Sequence, residues 1–537
     1  MTQPAALATL AARGSGWQLL GAAGQTLASL AVTVTLARLL RPAEFGLVNA
    51  ALAVVLACGV LSGLGIGPAL VQRGELETRH VRAALALGLA LSAGLAAGLV
   101  LVSPAVEAAF RMPGLAPVLA ALAPLFVLGG LGACSEALLT RELRFRELTA
   151  CSLAGYVVGY GGLGIPLALA GAGVWALVGA QLAQALVRTL LLLHSCPPGL
   201  PRFEGRAARE LLGYGLGHTG MQGWSFLADQ GDNLVVGRVL GAAALGLYGR
   251  AFQLLAFPAS VFSSVLETVL FPVLSRVQGD ARRLARAHRA VGAGSALLLL
   301  PGSVLLCLLA PELVRVLLGA GWEAVALPLQ ILAWGLLPRF NAKIGKSVCK
   351  ATGAVGAAGR LQVLFAALVL VGAAAGARAG LAGVALGVLG ASLVNSLLMT
   401  RLSLRLSGLG AGEFLRSHRP AVWGALLAAG VTLLARQVSQ ALALPDLAGL
   451  LLAVTAVGAA ALLAAWRWPG VFLGEDGAWL LTLARRAGAR APQESPPQEN
   501  KPPHESPPHG HKPHEHEEVE ACPESVAQAH EPLPARS

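Results

Sequence analysis

The chain predicts an all-helical, polytopic membrane protein of about fourteen spans, and three observations predict it. Apolar stretches recur from Trp17 to Trp466, roughly every thirty-odd residues. Short arginine-rich segments punctuate every second gap between them. The composition is 55% hydrophobic and only 13% charged, whereas soluble domains carry roughly 25% charged residues. An apolar helix needs about 20 residues to cross a ~30 Å hydrocarbon core, and the basic gaps report which side each turn faces. The 66 glycines and many alanines suit membrane helices whose backbones approach closely.

Each element follows from a stretch and the cations that flank it. The first pair of spans, 16–39 and 46–71, is parted by Arg41 alone, and the next gap carries Arg73, Arg79 and Arg82. Spans 83–103 and 116–139 are parted by Arg111, then followed by Arg141, Arg144 and Arg146. Spans 149–170 and 173–193 precede Arg202, Arg206 and Arg209. Spans 211–238, the most polar, and 244–273 precede Arg276, Arg282, Arg283, Arg286 and Arg289. Spans 290–310 and 324–345 flank Arg315 and end at Lys343, Lys346 and Lys350. Spans 358–377 and 380–400 flank Arg378 and precede Arg401, Arg405, Arg416 and Arg419. Spans 420–438 and 447–466 flank Arg436. Positive charge is retained on the cytoplasmic side, so the alternation places both termini in the cytoplasm and requires an even number of spans. Pro68, Pro166, Pro258 and Pro301 fall in or near spans, where neighbouring helices satisfy the freed backbone groups. Met1 to Gly16 lacks an apolar core with a cleavage site, so the first apolar run is expected to stay as a helix.

The halves repeat. Leu36 to Ala51 reads LARLLRPAEFGLVNAA and, 200 residues on, Val236 to Ala251 reads VGRVLGAAALGLYGRA. The matches at Arg38/Arg238 and Gly46/Gly246 weigh more than the Leu and Ala matches, which are cheap in this composition. Six spans separate the copies, so both insert with the same orientation. Parallel repeats of this kind place a transport path between the halves.

Composition also excludes classes. The net charge of +12 is spread over alternate loops instead of one polar face, which argues against nucleic acid as a partner. Seven cysteines form no CxxC pair and read as packing residues. No P-loop, HExxH, G-x-S-x-G or dinucleotide motif is present, so no ATP-driven chemistry, cofactor or catalytic residue is expected.

The remaining signals are polar groups inside apolar spans, which are costly and therefore candidates for function. Span seven holds His218, Gln222, Asp229, Gln230 and Asp232. Asp229 and Asp232 share a helix face and are ion- or proton-coupling candidates, partners for a cavity arginine, or solvated residues near the outer interface. Glu136 and Glu267 are candidate buried carboxylates, or partners of nearby arginines. Arg250 reads as a phosphate contact through its bidentate guanidinium, or as an interfacial arginine that snorkels. Arg38, Arg238, Arg339 and Lys343 are further substrate-path candidates, the last two also serving as topology determinants. Gln18, Gln25, Thr26, Gln181, Gln184 and Asn395 would meet sugar hydroxyls or bond between helices. Residues 469–490 read as a cytoplasmic amphipathic segment, with Trp466 and Trp468 in an interfacial belt. Residues 491–537, rich in Pro, Glu and His, offer no apolar face and are expected to be disordered. Their histidines, from His504 to His516, have no tetrahedral spacing, so no metal site is expected.

One stretch carries a resemblance. Asp232 to Asp280 reads DNLVVGRVLGAAALGLYGRAFQLLAFPASVFSSVLETVLFPVLSRVQGD and resembles the Wzx-type oligosaccharide flippases, especially their colanic-acid-exporter branch. RLLRPAEFGLVNAA and the LLTRELRFRELTA segment at Leu138 to Ala150 look similar too. The resemblance covers about residues 10–465. It implies a MATE-like fold of the multidrug/oligosaccharidyl-lipid/polysaccharide superfamily, with bundles at 1–200 and 201–410 and two additional helices at 411–468. It implies a transporter, not an enzyme, that flips undecaprenyl-diphosphate-linked oligosaccharide across the bacterial inner membrane for surface polysaccharide. The implied partners are the lipid-linked oligosaccharide, membrane lipids, and a polysaccharide polymerase and glycosyltransferases. Asp232, Gly237, Gly246, Tyr248, Arg250 and Gln253 match motif positions. A multidrug or cation antiporter of the same fold, or a non-transporting scaffold for glycan assembly, are the alternatives.

Overall fold

The computed structural model describes residues 24–63, 70, 77–203, 222–256, 281–474 and 476–477. Gln18, His218, Glu267, most of the amphipathic segment and the Pro/His/Glu-rich tail lie outside the described residues. Within them the chain is helical, in the order predicted. The first half holds α1 (24–39), α2 (Pro42–Gly63), α3 (Thr78–Phe110) and α4, which runs as Leu115–Leu122 and then Pro124–Arg141. It closes with α5, a helical stretch from Phe145 to Leu169, and α6 (Val174–Ser195). The second half holds α7 and α8 within Gln222–Ala256, α9 (Ala281–Leu317) and α10, which runs as Ala326–Ala333 and then Leu336–Ala351. It ends with α11 (Val355–Gly376) and α12 (Gly380–Ser407). Then come α13, from Ala411–Ser417 into Arg419–Ala441, and α14 (Asp446–Arg467).

Ten helical stretches among the described residues are long and apolar enough to cross a membrane, against about fourteen expected. The difference comes from two chain reversals, one broken helix and one helix described only in part. Gln222–Ala256 forms one stretch, yet its chain reverses at Gly241, where φ is +85°. The proof is the hydrogen bond from the Tyr248 hydroxyl to Asp232 Oδ2 at 3.0 Å. Sixteen residues of straight helix would hold those groups ~24 Å apart. Val355–Ser407 likewise reverses through the 3-10 turn Ala377–Ala379 and Gly380, φ +72°. Both reversals need the left-handed backbone that glycine adopts without penalty. The described part of α1 is short, and α10 is broken between Ala333 and Leu336.

Small residues set the spacing. In the α11–α12 hairpin a Cβ on Gly376 would lie 2.1 Å from the Gly383 carbonyl oxygen, and one on Gly387 would lie 2.1 Å from that of Gly372. In α5 a π-helical segment, Val157–Gly164, precedes Pro166. Proline supplies no N–H and crowds the carbonyl four residues back, so the turn before it widens. Gly159 and Gly164 in that segment let α6 lie against it, with Cβ positions only 2.6 and 2.8 Å from Ala180.

The arginines divide into two structural uses. In the RELRFRE segment, Arg144 grips Glu147 bidentately at 2.7 Å and Glu142 at 3.0 Å, pinning the α4–α5 turn in which Leu143 takes a φ of +57°. The hydrogen bonds from Glu147, then Glu142, hold the Arg144 guanidinium above its ordinary range. Two arginines of the opposite loops tie the last two helices to α9: Arg315 to Asp446 at 2.9 and 3.0 Å, and Arg436 to Glu312 at 2.9 Å.

The two copies of the repeat meet at equivalent positions. A Cβ on Gly46 would stand 1.7 Å from the Ala242 carbonyl oxygen, and one on Gly246 would stand 1.8 Å from that of Pro42. Reciprocal contacts of this kind place the halves about a local two-fold that passes between Gly46 and Gly246, at the arginine-poor end. Around it the largest apolar core joins Leu36, Phe45, Val48 and Ala51 of the first half to Val236, Leu245, Tyr248 and Trp322 of the second. A methyl group cannot enter without separating the backbones. Gly46→Ala and Gly246→Ala should each cost about 1–3 kcal/mol, as overpacking does. They should lower the melting temperature of the purified protein, and an unchanged melting temperature in both would refute the contact.

Candidate functional site

The site is built by the α7–α8 hairpin, because its depth is fixed by the turn. Asp232 lies nine residues before Gly241 and Arg250 nine residues after it. At 1.5 Å per residue both sit ~13 Å from the turn. With the turn at one edge of a ~30 Å hydrocarbon layer, that distance reaches close to its middle. The two charges then diverge, since they lie on different faces of the hairpin.

On the face toward the second half, Asp229 and Asp232 open onto a cavity of about 300 Å³. Opposite them stand Arg339, Lys343 and Lys346 of α10, spaced i, i+4 and i+7 so that they share one helix face. Ser392 and Asn395 of α12 close it. Asp232 is only 3% exposed and accepts from Tyr248 and from the Asn233 backbone N–H at 2.9 Å. The Arg339 guanidinium lies over the Phe252 ring at 4.8 Å, and its Nε donates to Ser392 Oγ at 3.4 Å. Three cations thus face two carboxylates without forming an ion pair with either among the described residues.

On the other face, toward the first half, Arg250 is half-buried, with its guanidinium over the Phe45 ring of α2 at 4.3 Å. The phenols of Tyr156 and Tyr160, carried by α5 at its π segment, are its electrostatic neighbours. Those rings stack at 4.9 Å, and the Tyr160 hydroxyl donates to Gln181 at 2.7 Å. Gln253, one turn deeper, donates to Thr33 at 2.6 Å and Ser29 at 3.4 Å. A second cavity of about 260 Å³ lies there, lined by Gln25, Thr26, Ser29, Thr33 and Gln253. Buried polar atoms normally find a partner. The Nε of Arg250, Oε1 of Gln253 and Oδ1 of Asn395 have none among the described residues.

The candidates therefore separate. Arg339, Lys343, Asp229, Asp232 and Asn395 come together, Arg250 stands at the junction of the halves, and Gln25 and Thr26 line the second cavity. Arg38 and Arg238 are exposed at the arginine-poor end, and Arg38 donates to the Val316 carbonyl at 2.7 Å. Glu136 pairs with Arg188 of α6 at 2.8 Å, away from the carboxylates of α7. The sequence reading missed Lys346 as a cavity residue, although its spacing from Arg339 and Lys343 was visible. It also missed Arg188, an arginine inside the sixth apolar span. Phe45, Tyr156 and Tyr160 gave no signal, since aromatic residues in apolar helices ordinarily pack. The repeat is chemically one-sided here: Asp232, Tyr248, Arg250 and Gln253 stand where the first copy has Val32, Val48, Ala50 and Ala53.

Residues 35–327 match the family described as polysaccharide biosynthesis protein. The chain is 32% identical over 328 residues to the succinoglycan biosynthesis transport protein ExoT of Rhizobium meliloti. That match covers 59% of this chain and 65% of the relative, just under two thirds of the relative's length. It is 27% identical over 377 residues to the lipopolysaccharide biosynthesis protein WzxC of Escherichia coli, covering 68% of this chain and 74% of that one. Among solved structures it resembles the lipid II flippase MurJ in an inward closed conformation, with a TM-score of 0.67 at 13% identity over 82% of this chain and 97% of that one. It also resembles an inward-facing multidrug resistance MATE family transporter of the MOP superfamily, with a TM-score of 0.59 at 17% identity over 72% of this chain and 95% of that one. At these identities the two structures establish the fold, which is the MATE-like one predicted.

Tyr248 holds Asp232 in place across the hairpin. Tyr248→Phe keeps the ring and strips a buried carboxylate of its hydroxyl donor, which should cost about 1–3 kcal/mol. A lowered melting temperature for Tyr248→Phe, largely relieved in the Asp232→Asn background, is the expected result of a double-mutant cycle. Additive effects would show that the two side chains do not interact.

Proposed function

We propose that this chain, which belongs to the polysaccharide biosynthesis protein family, moves a lipid-linked oligosaccharide from the inner to the outer leaflet of the bacterial inner membrane. The observation that carries the reading is the set of cations that form no ion pair with a carboxylate among the described residues: Arg250 at the junction of the halves, and Arg339, Lys343 and Lys346 on one face of α10. Burying such charge is expensive. It is recovered when a doubly charged diphosphate supplies the counter-charge, and an arginine fork suits that group geometrically. The orphaned amide oxygens of Gln253 and Asn395, with Gln25, Ser29 and Thr33, offer acceptors and donors for sugar hydroxyls. A cation antiporter would need the opposite balance of charge.

The arginine-rich end is cytoplasmic in this reading, with both termini on that side. The helices of residues 1–200 and 201–410 then act as the two moving bundles, with 411–468 as an accessory pair. The closure at Gly46 and Gly246 bars the outer side, and both cavities lie on its inner side, where a newly made substrate arrives. The chain acts as a transporter without a cofactor. The enzymes that build the glycan and the polymerase that consumes it are its expected neighbours in the membrane. Asp229 and Asp232 are the proposed coupling carboxylates for a proton or sodium gradient.

Two measurements test this. Removing the gene should abolish a surface polysaccharide while leaving drug tolerance unchanged. In the complemented strain, at equal membrane abundance, export should fall from wild type to Arg250→Lys and further to Arg250→Gln. The last step should amount to about ten- to a hundredfold, the worth of one charge-assisted hydrogen bond. Normal export by Arg250→Gln removes Arg250 from the path and moves the anion contact to Arg339 and Lys343. In proteoliposomes, flipping by the wild type should respond to an imposed ion gradient. The Asp229→Asn, Asp232→Asn double variant should flip at a rate independent of it. A full gradient response in that variant would clear both residues of a coupling role.

A further inference from the structure

The closure at the arginine-poor end is held by one side chain more than any other. The α9–α10 loop turns through Gly319 and Gly321, with φ of +87° and +88°, and between them and Glu323 it presents Trp322. Both carboxylate oxygens of Glu323 accept from the Gly321 N–H, at 3.2 and 3.0 Å, which fixes the loop's shape. Trp322 belongs to the second half, yet it is 1% exposed because it is inserted into the first. Its indole N–H donates to the Ala37 carbonyl of α1 at 2.9 Å. Its ring meets Phe45 of α2 edge-on, with centroids 5.5 Å apart at 71°. The neighbouring Arg38–Val316 bond crosses the same seam in the other direction.

Phe45 is thus held on two sides, by the Trp322 ring and by the Arg250 guanidinium over its face at 4.3 Å. From Phe45 inward the series runs to the group proposed to take the substrate's charge. From Phe45 outward it runs to the side chain that closes the exit. We infer that Arg250, Phe45 and Trp322 form a relay in which an anion bound at Arg250 releases the Trp322 latch. The inference rests on the anion-binding reading of Arg250. The physical reason is competition for the guanidinium. A phosphate oxygen offers it charge-assisted hydrogen bonds, which outweigh its attraction to a phenyl face. Once the guanidinium turns to the anion, Phe45 loses the support that holds it against Trp322, and the indole keeps its hydrogen bond to Ala37 without a fixed ring beside it. Phe45 and Trp322 are positioning residues, since neither touches the anion.

The test uses the full-length protein in nanodiscs. Spin labels at Arg111→Cys and Arg378→Cys, both exposed at the arginine-poor end, sit in a background without the seven native cysteines. Inorganic pyrophosphate is the probe, with its binding measured by calorimetry and the inter-label distance by pulsed electron resonance. In the wild type, pyrophosphate should populate a longer distance. Trp322→Ala should show that longer distance without pyrophosphate, its closed population reduced about tenfold, as loss of one neutral hydrogen bond with its packing implies. Trp322→Phe, which keeps the ring contact, should fall between. Phe45→Leu should bind pyrophosphate yet leave the distance unmoved, which a merely structural role for Phe45 does not produce. A wild-type distance in Trp322→Ala overturns the latch. A normal pyrophosphate response in Phe45→Leu overturns the relay while leaving the latch and the anion site standing. No pyrophosphate binding by the wild type overturns the anion reading and the relay together, and the Trp322→Ala arm then judges the latch by itself.

Discussion

Two backbones in direct contact, at Gly46 and Gly246, are the constraint on which the arrangement of the halves depends. With no side chain on either residue, carbonyls from Pro42 and Ala242 can pack where a methyl group would otherwise stand. That closeness brings α2 and α8 together along their first turns. It lets Gln253 reach Thr33 and Arg250 reach Phe45 across the seam, and it lets Trp322 bury itself in the opposite half. Side chains add specificity at the seam, but the distance they span is set by glycine. The α11–α12 hairpin and the α5–α6 pair use the same device. In lipid there is little hydrophobic force between helices, so close van der Waals packing is what remains to hold them.

The second organising fact is the depth of the α7–α8 turn. Gly241 fixes where the chain reverses, and every polar group on the hairpin inherits its depth from its distance to that turn. Asp232 and Arg250 therefore share a level without sharing a surface: one faces the cavity of the second half and the other faces the seam. A buried carboxylate and a half-buried guanidinium at one level would neutralise each other if the hairpin let them meet. Tyr248 and the Asn233 backbone N–H satisfy Asp232 instead, and Arg250 has no carboxylate partner among the described residues.

Much of this was legible in the residues. Hydropathy and the alternating arginines located the helices, because burying charge in lipid leaves so strong a mark on sequence. The 200-residue offset paired Gly46 with Gly246, though the contact between them was not foreseen. The reversals at Gly241 and Gly380 fall at the gaps expected between spans 211–238 and 244–273 and between 358–377 and 380–400. Asp232 was visible as a buried acid, but its partner Tyr248 was not, because the pairing exists only once the hairpin closes. Lys346 was read as a loop cation because its apolar span was expected to stop at 345, whereas α10 continues to Ala351. Glu136 was read as a buried acid or as the partner of a nearby arginine, and the partner, Arg188, was not named because it sits in a span that is otherwise apolar. Phe45 and Trp322 could not be singled out at all: an aromatic residue's role at a seam depends on what the other half presents to it.

The one-sidedness of the repeat has a mechanical consequence. The scaffold is duplicated, but the charged chemistry is not: Val32, Val48, Ala50 and Ala53 occupy the first copy where Asp232, Tyr248, Arg250 and Gln253 occupy the second. Under the proposed function, the charged head of a cargo is held off the two-fold axis, by residues that belong to one half. When the halves rock, the head rides with that half as a passenger, and the other half slides past it like the wall of a lock. A symmetric carrier would have to hand its cargo from one half to the other at mid-crossing. This one has no such exchange to make.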